Sequence, residues 1–243
     1  MPLLFPTCSQ GGADMELSPR LRAAAELVPH GAHFADIGTD HAYLPTWLLL
    51  NGVIDHAIAA DLRPGPLDRA RETVEKYAVS DCVDFRLCDG LNGLQPGEAD
   101  AIAIAGMGGE TIIHILSQAP WTKEEGMTLI LQPMSTQPEL RRWLAGNGYV
   151  IESEHTIRED KTLYTLMLVK AGAMELTDAE ACAGRQGSDP LRGEYLEHII
   201  AKTSRALEGR KAAAQRDEEA IRQMSELLTE LKKMKEEWEA WQQ

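Results

Sequence analysis

Much that would assign this chain quickly is missing from its 243 residues. No apolar run reaches the roughly 18–20 residues that a membrane span requires. No basic segment followed by an apolar core opens the chain, so a secretory signal is not expected. The four cysteines, Cys8, Cys82, Cys88 and Cys182, make no C-x-x-C pair and show no metal-like spacing with the seven histidines. Reduced thiols in a cytoplasmic protein, and no metal ion, are the expectation. Positive charge is scarce: 24 lysines and arginines stand against 38 acids, a net charge of −14. Non-specific nucleic-acid binding runs on lysine and arginine, so such a partner would need a local basic face.

What is present is enough for a core, with 44 % of residues hydrophobic. Residues 1–14 show no period and read as a leader. "LSPRLRAAAELV" then reads as a helix, with Ser18 at its N-cap, Pro19 at its first position and Leu21, Ala24, Ala25 and Val28 on one face. Five strand-like runs follow, "AHFADIG", "HAIAADL", "VDFRLCDG", "ADAIAIAG" and "MTLILQP". Helical stretches follow the first, second, fourth and fifth of them. "YVIESEHTIRED" and "LYTLMLVKA" read as a closing hairpin. Strands alternating with helices predict an α/β fold, a Rossmann-like, mostly parallel sheet with an antiparallel terminal hairpin. This domain is expected over 15–171, with a Gly- and Asp-rich linker over 172–190. Residues 191–243 keep a 3–4 spacing through Ile221, Met224, Leu228, Leu231 and Trp238, widened by Leu227, Met234 and Trp241. They read as a helical hairpin or coiled coil, able to pair within the chain or with a second copy.

In an open parallel sheet, ligands bind at the carboxyl ends of the strands. Those ends carry Gly38, Thr39, Asp40 and His41; then Asp61 and Leu62; then Asp89 and Gly90; then Gly106, Met107, Gly108 and Gly109; then Gln132, Pro133 and Met134. A dinucleotide site would read G-x-G-x-x-G after its first strand, because a pyrophosphate must approach backbone N–H groups closely. Here one glycine, Gly38, is flanked by Asp36, Asp40 and His41, and acids repel phosphate. Acids around the turn suit a ligand with a positive end. S-adenosyl-L-methionine carries a sulfonium and an ammonium and no phosphate. Asp61 would accept from its ribose hydroxyls and Asp89 from its adenine amino group. Alone, Asp61 or Asp89 is more often a helix cap or turn residue, although three acids at three successive strand ends are less often accidental, and His41 reads equally well as a ring packed beneath Tyr43.

The motifs "ADIGTDHAYLP", "IAGMGGETI" and "LILQPM", in that order and spacing, resemble the bacterial TrmK-type tRNA (adenine-N1)-methyltransferases, which act on adenosine 22. The resemblance runs from about Leu17 to Val169 and more loosely into the tail. It implies a class I methyltransferase fold, S-adenosyl-L-methionine as donor, tRNA as partner and a coiled-coil C-terminal domain. The chain departs from the family pattern at Asp61, where a longer Glu is expected, and in its first 14 residues.

Adenine N1 carries a neutral lone pair at pH 7, so its methylation removes no proton and rests on positioning and water exclusion. Asp40, with carbonyls around Gly106 and Met107, is the candidate to stabilise charge arriving on the base, and Gln132 to read the adenine edge. An adenosine drawn from its stack needs a replacement surface, for which His41, Tyr43 and Met107 are candidates, with Gly108, Gly109 and Pro133 beside them. Arg20 and Arg22, Arg141, Arg142, Arg158 and Lys161, and Lys202, Arg205, Arg210 and Lys211 are candidates for the basic face. Two rival readings are methyl transfer to a small molecule or protein, since the fold does not fix the acceptor, and a non-catalytic cofactor-binding module.

Overall fold

The computed structural model describes residues 15–185 and 189–242, so the expected leader lies outside the described residues. The chain runs α1 (Pro19–Glu26), β1 (Phe34–Ile37), α2 (Tyr43–Leu50), β2 (Ala57–Asp61), α3 (Pro64–Lys76) and β3 (Val83–Leu87). It continues through β4 (Ala101–Gly108), α4 (Gly109–Gln118), β5 (Thr128–Ser135), α5 (Gln137–Gly146), β6 (Tyr149–Glu159) and β7 (Thr162–Ala171). Three helices follow: α6 (Asp178–Ala183), α7 (Arg192–Ala212) and α8 (Glu218–Trp241).

The strands form one sheet in the order β3-β2-β1-β4-β5-β7-β6. β1 to β5 pair in parallel, and β7 returns antiparallel between β5 and β6. The expected Rossmann-like sheet and hairpin are therefore both present. Side chains of a strand alternate between faces, and β4 shows what that achieves. Ile102 and Ile104 enter the core layer under α4 and α5, with Ile112, Leu116 and Leu140. Ala101 and Ala103 enter the opposite layer under α1, α2 and α3, with Ala24, Leu48 and Val74. Burial on both faces explains the nearly unbroken apolar runs of the central strands.

Ser18 stands at the N-cap of α1 and Pro19 within its first turn, but the Ser18 hydroxyl makes no capping hydrogen bond. Cys88 and Cys182 are free thiols, whereas Cys82 is disulfide-bonded, which corrects the expectation of four reduced cysteines. The stretch 172–190 carries α6, started by a capping box in which Thr177 and Glu180 satisfy each other's backbone N–H. Ala179 and Ala183 of this helix are buried against Leu196 of α7 and Leu231 of α8. The apolar stripe of α8 is thus covered within the chain, apart from Trp241, which is 65 % exposed. No described helix is long and apolar enough to cross a membrane.

Candidate active site

β1 and β4 are neighbours from which the chain proceeds in opposite directions across the sheet, to β2 and β3 on one side and to β5 on the other. This switch point is where an open α/β sheet leaves a crevice. An open cleft of about 260 Å³ lies there, lined by Arg20, Asp36, the segment from Gly38 to Leu44, Ala105 and Gly106.

Its floor is the turn after β1. Gly38 takes φ +80°, a conformation glycine adopts without steric cost. The N–H groups of Gly38 and Thr39 both donate to the Ala60 carbonyl, at 2.8 and 3.0 Å. The Thr39 hydroxyl accepts from Ala42 N at 3.1 Å. Two amides of this turn are therefore already spent on β2. A Cβ built on Gly38 would lie 2.0 Å from Met107 Cε, so the Met107 thioether rests directly on this turn.

The acids differ sharply in their surroundings. Asp36 is buried, and burial pushes its carboxyl up to about 6, with a hydrogen bond to Thr39 opposing and the Asp61 charge adding to the rise. Asp61, also buried, accepts from Arg63 N at 2.7 Å. Leu62 beside it is 64 % exposed. Asp40 is exposed at the rim, where it pairs with Arg69 of α3 and lies 3.6 Å from His41 Nε2. Asp89 is exposed at the end of β3, and Gly90 follows it at φ +54°. His41 and Tyr43 stack in parallel, with ring centroids 4.9 Å apart and planes 4° from parallel, leaving Tyr43 43 % exposed.

The other expected site residues differ in their surroundings. Gly106 faces open space at φ +77°. Gly109 instead packs so tightly that a Cβ would meet the Thr136 carbonyl at 2.6 Å, so it seats α4 against the end of β5 and offers no face to a substrate. Pro133 is buried as well. Gln132 is buried with its amide engaged at both ends: Oε1 accepts from Gly106 N at 3.1 Å and from Arg20 Nη1 at 2.9 Å, and Nε2 donates to the Pro133 carbonyl at 3.2 Å. Its amide thus braces the Gly106 turn, and reading a base edge would mean giving up one of these bonds.

The basic candidates separate in the same way. Arg141 is 1 % exposed, pairs with Glu154 at 2.8 Å and donates to the Ala181 and Cys182 carbonyls. Its guanidinium holds α6 against the sheet domain and is not available to a phosphate. Arg142 pairs with Asp178 at 2.9 Å, and Arg158 with Glu194. Lys202 and Arg205 lie exposed on α7 without an ion pair to any described residue. Arg20, assigned by sequence to an outer basic face, instead enters the cleft. No group of metal-ligating side chains occurs among the described residues.

This geometry has close counterparts among known proteins. Residues 17–167 match the family model described as "Methyltransferase domain". The tRNA (adenine(22)-N(1))-methyltransferase of Bacillus subtilis is 41 % identical over 159 residues, 65 % of this chain and 67 % of that protein. The crystal structure of the B. subtilis M1A22 tRNA methyltransferase TrmK superposes with a TM-score of 0.81 at 31 % identity, covering 91 % of this chain and 100 % of the other. M. capricolum TrmK, solved with the natural cofactor product S-adenosyl-homocysteine, superposes with a TM-score of 0.76 at 27 % identity, covering 92 % and 99 %.

Proposed function

We infer the reaction from a premise the similarities establish: the chain belongs to the TrmK-type tRNA (adenine(22)-N(1))-methyltransferases, within the methyltransferase-domain family. It transfers a methyl group from S-adenosyl-L-methionine to N1 of adenosine 22 in tRNA. The observation that carries this beyond sequence identity is the turn after β1, whose Gly38 and Thr39 amides are bonded to Ala60. That turn presents acids beside amides that are in part already engaged, which suits a cationic donor without phosphates better than a nucleotide that carries them.

S-adenosyl-L-methionine supplies, when bound, an electrophilic methyl group on a sulfonium centre. The acids fit that group: Asp36 and Asp40 would face its ammonium, Asp61 its ribose hydroxyls and Asp89 its adenine, with Leu62 covering the ring. At the acceptor side, the His41–Tyr43 stack offers the drawn-out adenosine an aromatic surface in place of its lost neighbours. Its N1 needs no base, so the protein's work is alignment and exclusion of water. Carbonyls at Gly106 and Met107 would stabilise the charge that arrives on the ring, and Asp40 would add to that. Gln132 acts on the same turn by holding Gly106 N.

Lys202 and Arg205 are our candidates for phosphate contacts along α7, which would let a chain of net charge −14 bind a polyanion locally. A tRNA enzyme of this kind works in the cytoplasm. The deciding experiment is methyl transfer to unmodified tRNA, followed by nucleoside digestion and mass spectrometry. 1-Methyladenosine should appear, and should vanish when adenosine 22 is replaced. A methylated nucleoside of another kind, or none, would overturn the assignment.

A further inference from the structure

We propose that Met134 forms the acceptor-side wall of the active site, its thioether packing on the target adenine from the side opposite the His41–Tyr43 stack. The proposal rests on the tRNA methyltransferase reading above, in which acids at the ends of β1, β2 and β3 hold the donor. The acceptor base is then left with the end of β4 and its surroundings. Among the described residues, the exposed large apolar side chains are Tyr43, Leu62, Leu87, Met134 and Trp241. Leu62 and Leu87 stand at the ends of β2 and β3, on the donor side. Tyr43 follows β1 and Met134 belongs to β5, and the sheet runs β1, β4, β5. The two therefore flank the end of β4, where Gly106 faces open space.

A single exposed apolar side chain is ordinary on a protein surface, but Met134 is tethered. Its sulfur accepts from Gln132 Nε2 at 3.6 Å and from Arg20 Nη1 at 3.8 Å. The other end of the Gln132 amide, Oε1, accepts from Gly106 N at 3.1 Å, and both Arg20 and Gly106 line the cleft. One side-chain amide thus spans from the Met134 sulfur to the cleft. The strand pairing contributes too. The β4–β5 register shifts between Ala105 and Met107 and again between Met107 and Gly108, and Met134 lies between Pro133 and Ser135, the partners of Met107 and Gly108. Irregularities of this kind re-aim side chains beside active sites. With its sulfur engaged and 44 % of its surface exposed, Met134 offers apolar area beside the cleft. A rotamer already held by protein contacts loses little further entropy when it takes a ligand. A thioether is also polarisable and packs well on an aromatic ring, here the purine.

Three substitutions separate this contact from a mere brace. Met134→Ala removes apolar bulk and sulfur together. Met134→Leu keeps the bulk without the acceptor, and Met134→Gln keeps an acceptor for Arg20 and Gln132 on a polar tip. The readouts are 1-methyladenosine formation at saturating tRNA and donor, and donor affinity by titration calorimetry. Met134→Ala should lower turnover by roughly 5- to 30-fold, the range of a half-exposed apolar contact with a ring, and leave donor affinity within about twofold. Met134→Leu should recover most of the rate and Met134→Gln none of it. Recovery by glutamine and not by leucine would make Met134 a clip for Arg20 and Gln132, and the proposal falls. Donor affinity that drops with the rate would place Met134 against the donor, and unchanged turnover in all three variants would leave it bare surface; either result overturns the proposal. An unmodified protein that forms no 1-methyladenosine would instead overturn the methyltransferase reading, and this proposal with it.

Discussion

Replacing Asp36 with asparagine should make the donor-free protein more stable at neutral pH while crippling its affinity for the donor. Asp36 is 8 % exposed, and its carboxyl titrates at about 6 against an ordinary value of 3.8. That rise corresponds to ~3 kcal/mol of preference for the neutral form in the fold. The folded value is raised, so the associated stability is fully present below about pH 4 and is lost as pH rises through 6. Asparagine cannot ionise and escapes the loss, but it alters the bond with Thr39, at a cost of about 1 kcal/mol. The variant should therefore gain about 2 kcal/mol over the parent at pH 8 and trail it slightly at pH 4. Urea unfolding of both proteins without donor, at steps from pH 4 to 8, isolates this group because all others titrate in common. A stability difference that stays flat across the series would refute the reasoning. Calorimetry with donor supplies the complementary arm: parent affinity should climb through pH 6 as Asp36 ionises to meet the ammonium, and the variant should show no such climb.

Arg141→Met should cost about 3 kcal/mol in urea unfolding, because the largely buried Glu154 loses its ion-pair partner and the Ala181 and Cys182 carbonyls lose their donor; if α6 stays in place, the salt slope of tRNA binding should not change. Replacing Lys202 and Arg205 together by glutamine should weaken tRNA binding and lower the salt slope by about two, at unchanged donor affinity; an unaltered slope would move the contact elsewhere. Gly193→Ala brings a Cβ to 2.5 Å from Trp238 Cζ3. Overpacking of ~1–3 kcal/mol outweighs the ~1 kcal/mol that alanine gains in a helix, so melting should fall by a few degrees, and an unchanged or raised melting point would contradict the α7–α8 packing.

The sheet was legible because its central strands are buried on both faces and read as apolar runs, and because the first four runs end in glycine or acid. The acids at the strand ends were legible for the same reason: position at a strand end follows from local pattern. Arg141 and Arg20 were not. Both read as surface arginines, and only contacts across long sequence intervals, Glu154 and Ala181 for one and Glu159 and Gln132 for the other, reveal where they point. Gln132 sat at the expected strand end, yet its amide is engaged by partners that no local pattern announces. The helix inside 172–190 did leave a signal, Thr177 followed three residues later by Glu180, which composition alone concealed.

The placement of β7 between β5 and β6 has a consequence in time. Residues reach the growing chain in order, so the acids of the cleft are all made by Asp89, while Gln132 and then Glu159 arrive far later, 112 and 139 residues after Arg20. A nascent chain that has completed β4 has both walls of the crevice and its acids, with nothing yet to hold its arginine in position. Contacts separated so widely along the chain form late and slowly. The hairpin that seals the sheet is therefore also the part whose arrival turns a cluster of acids into a cleft with two signs of charge.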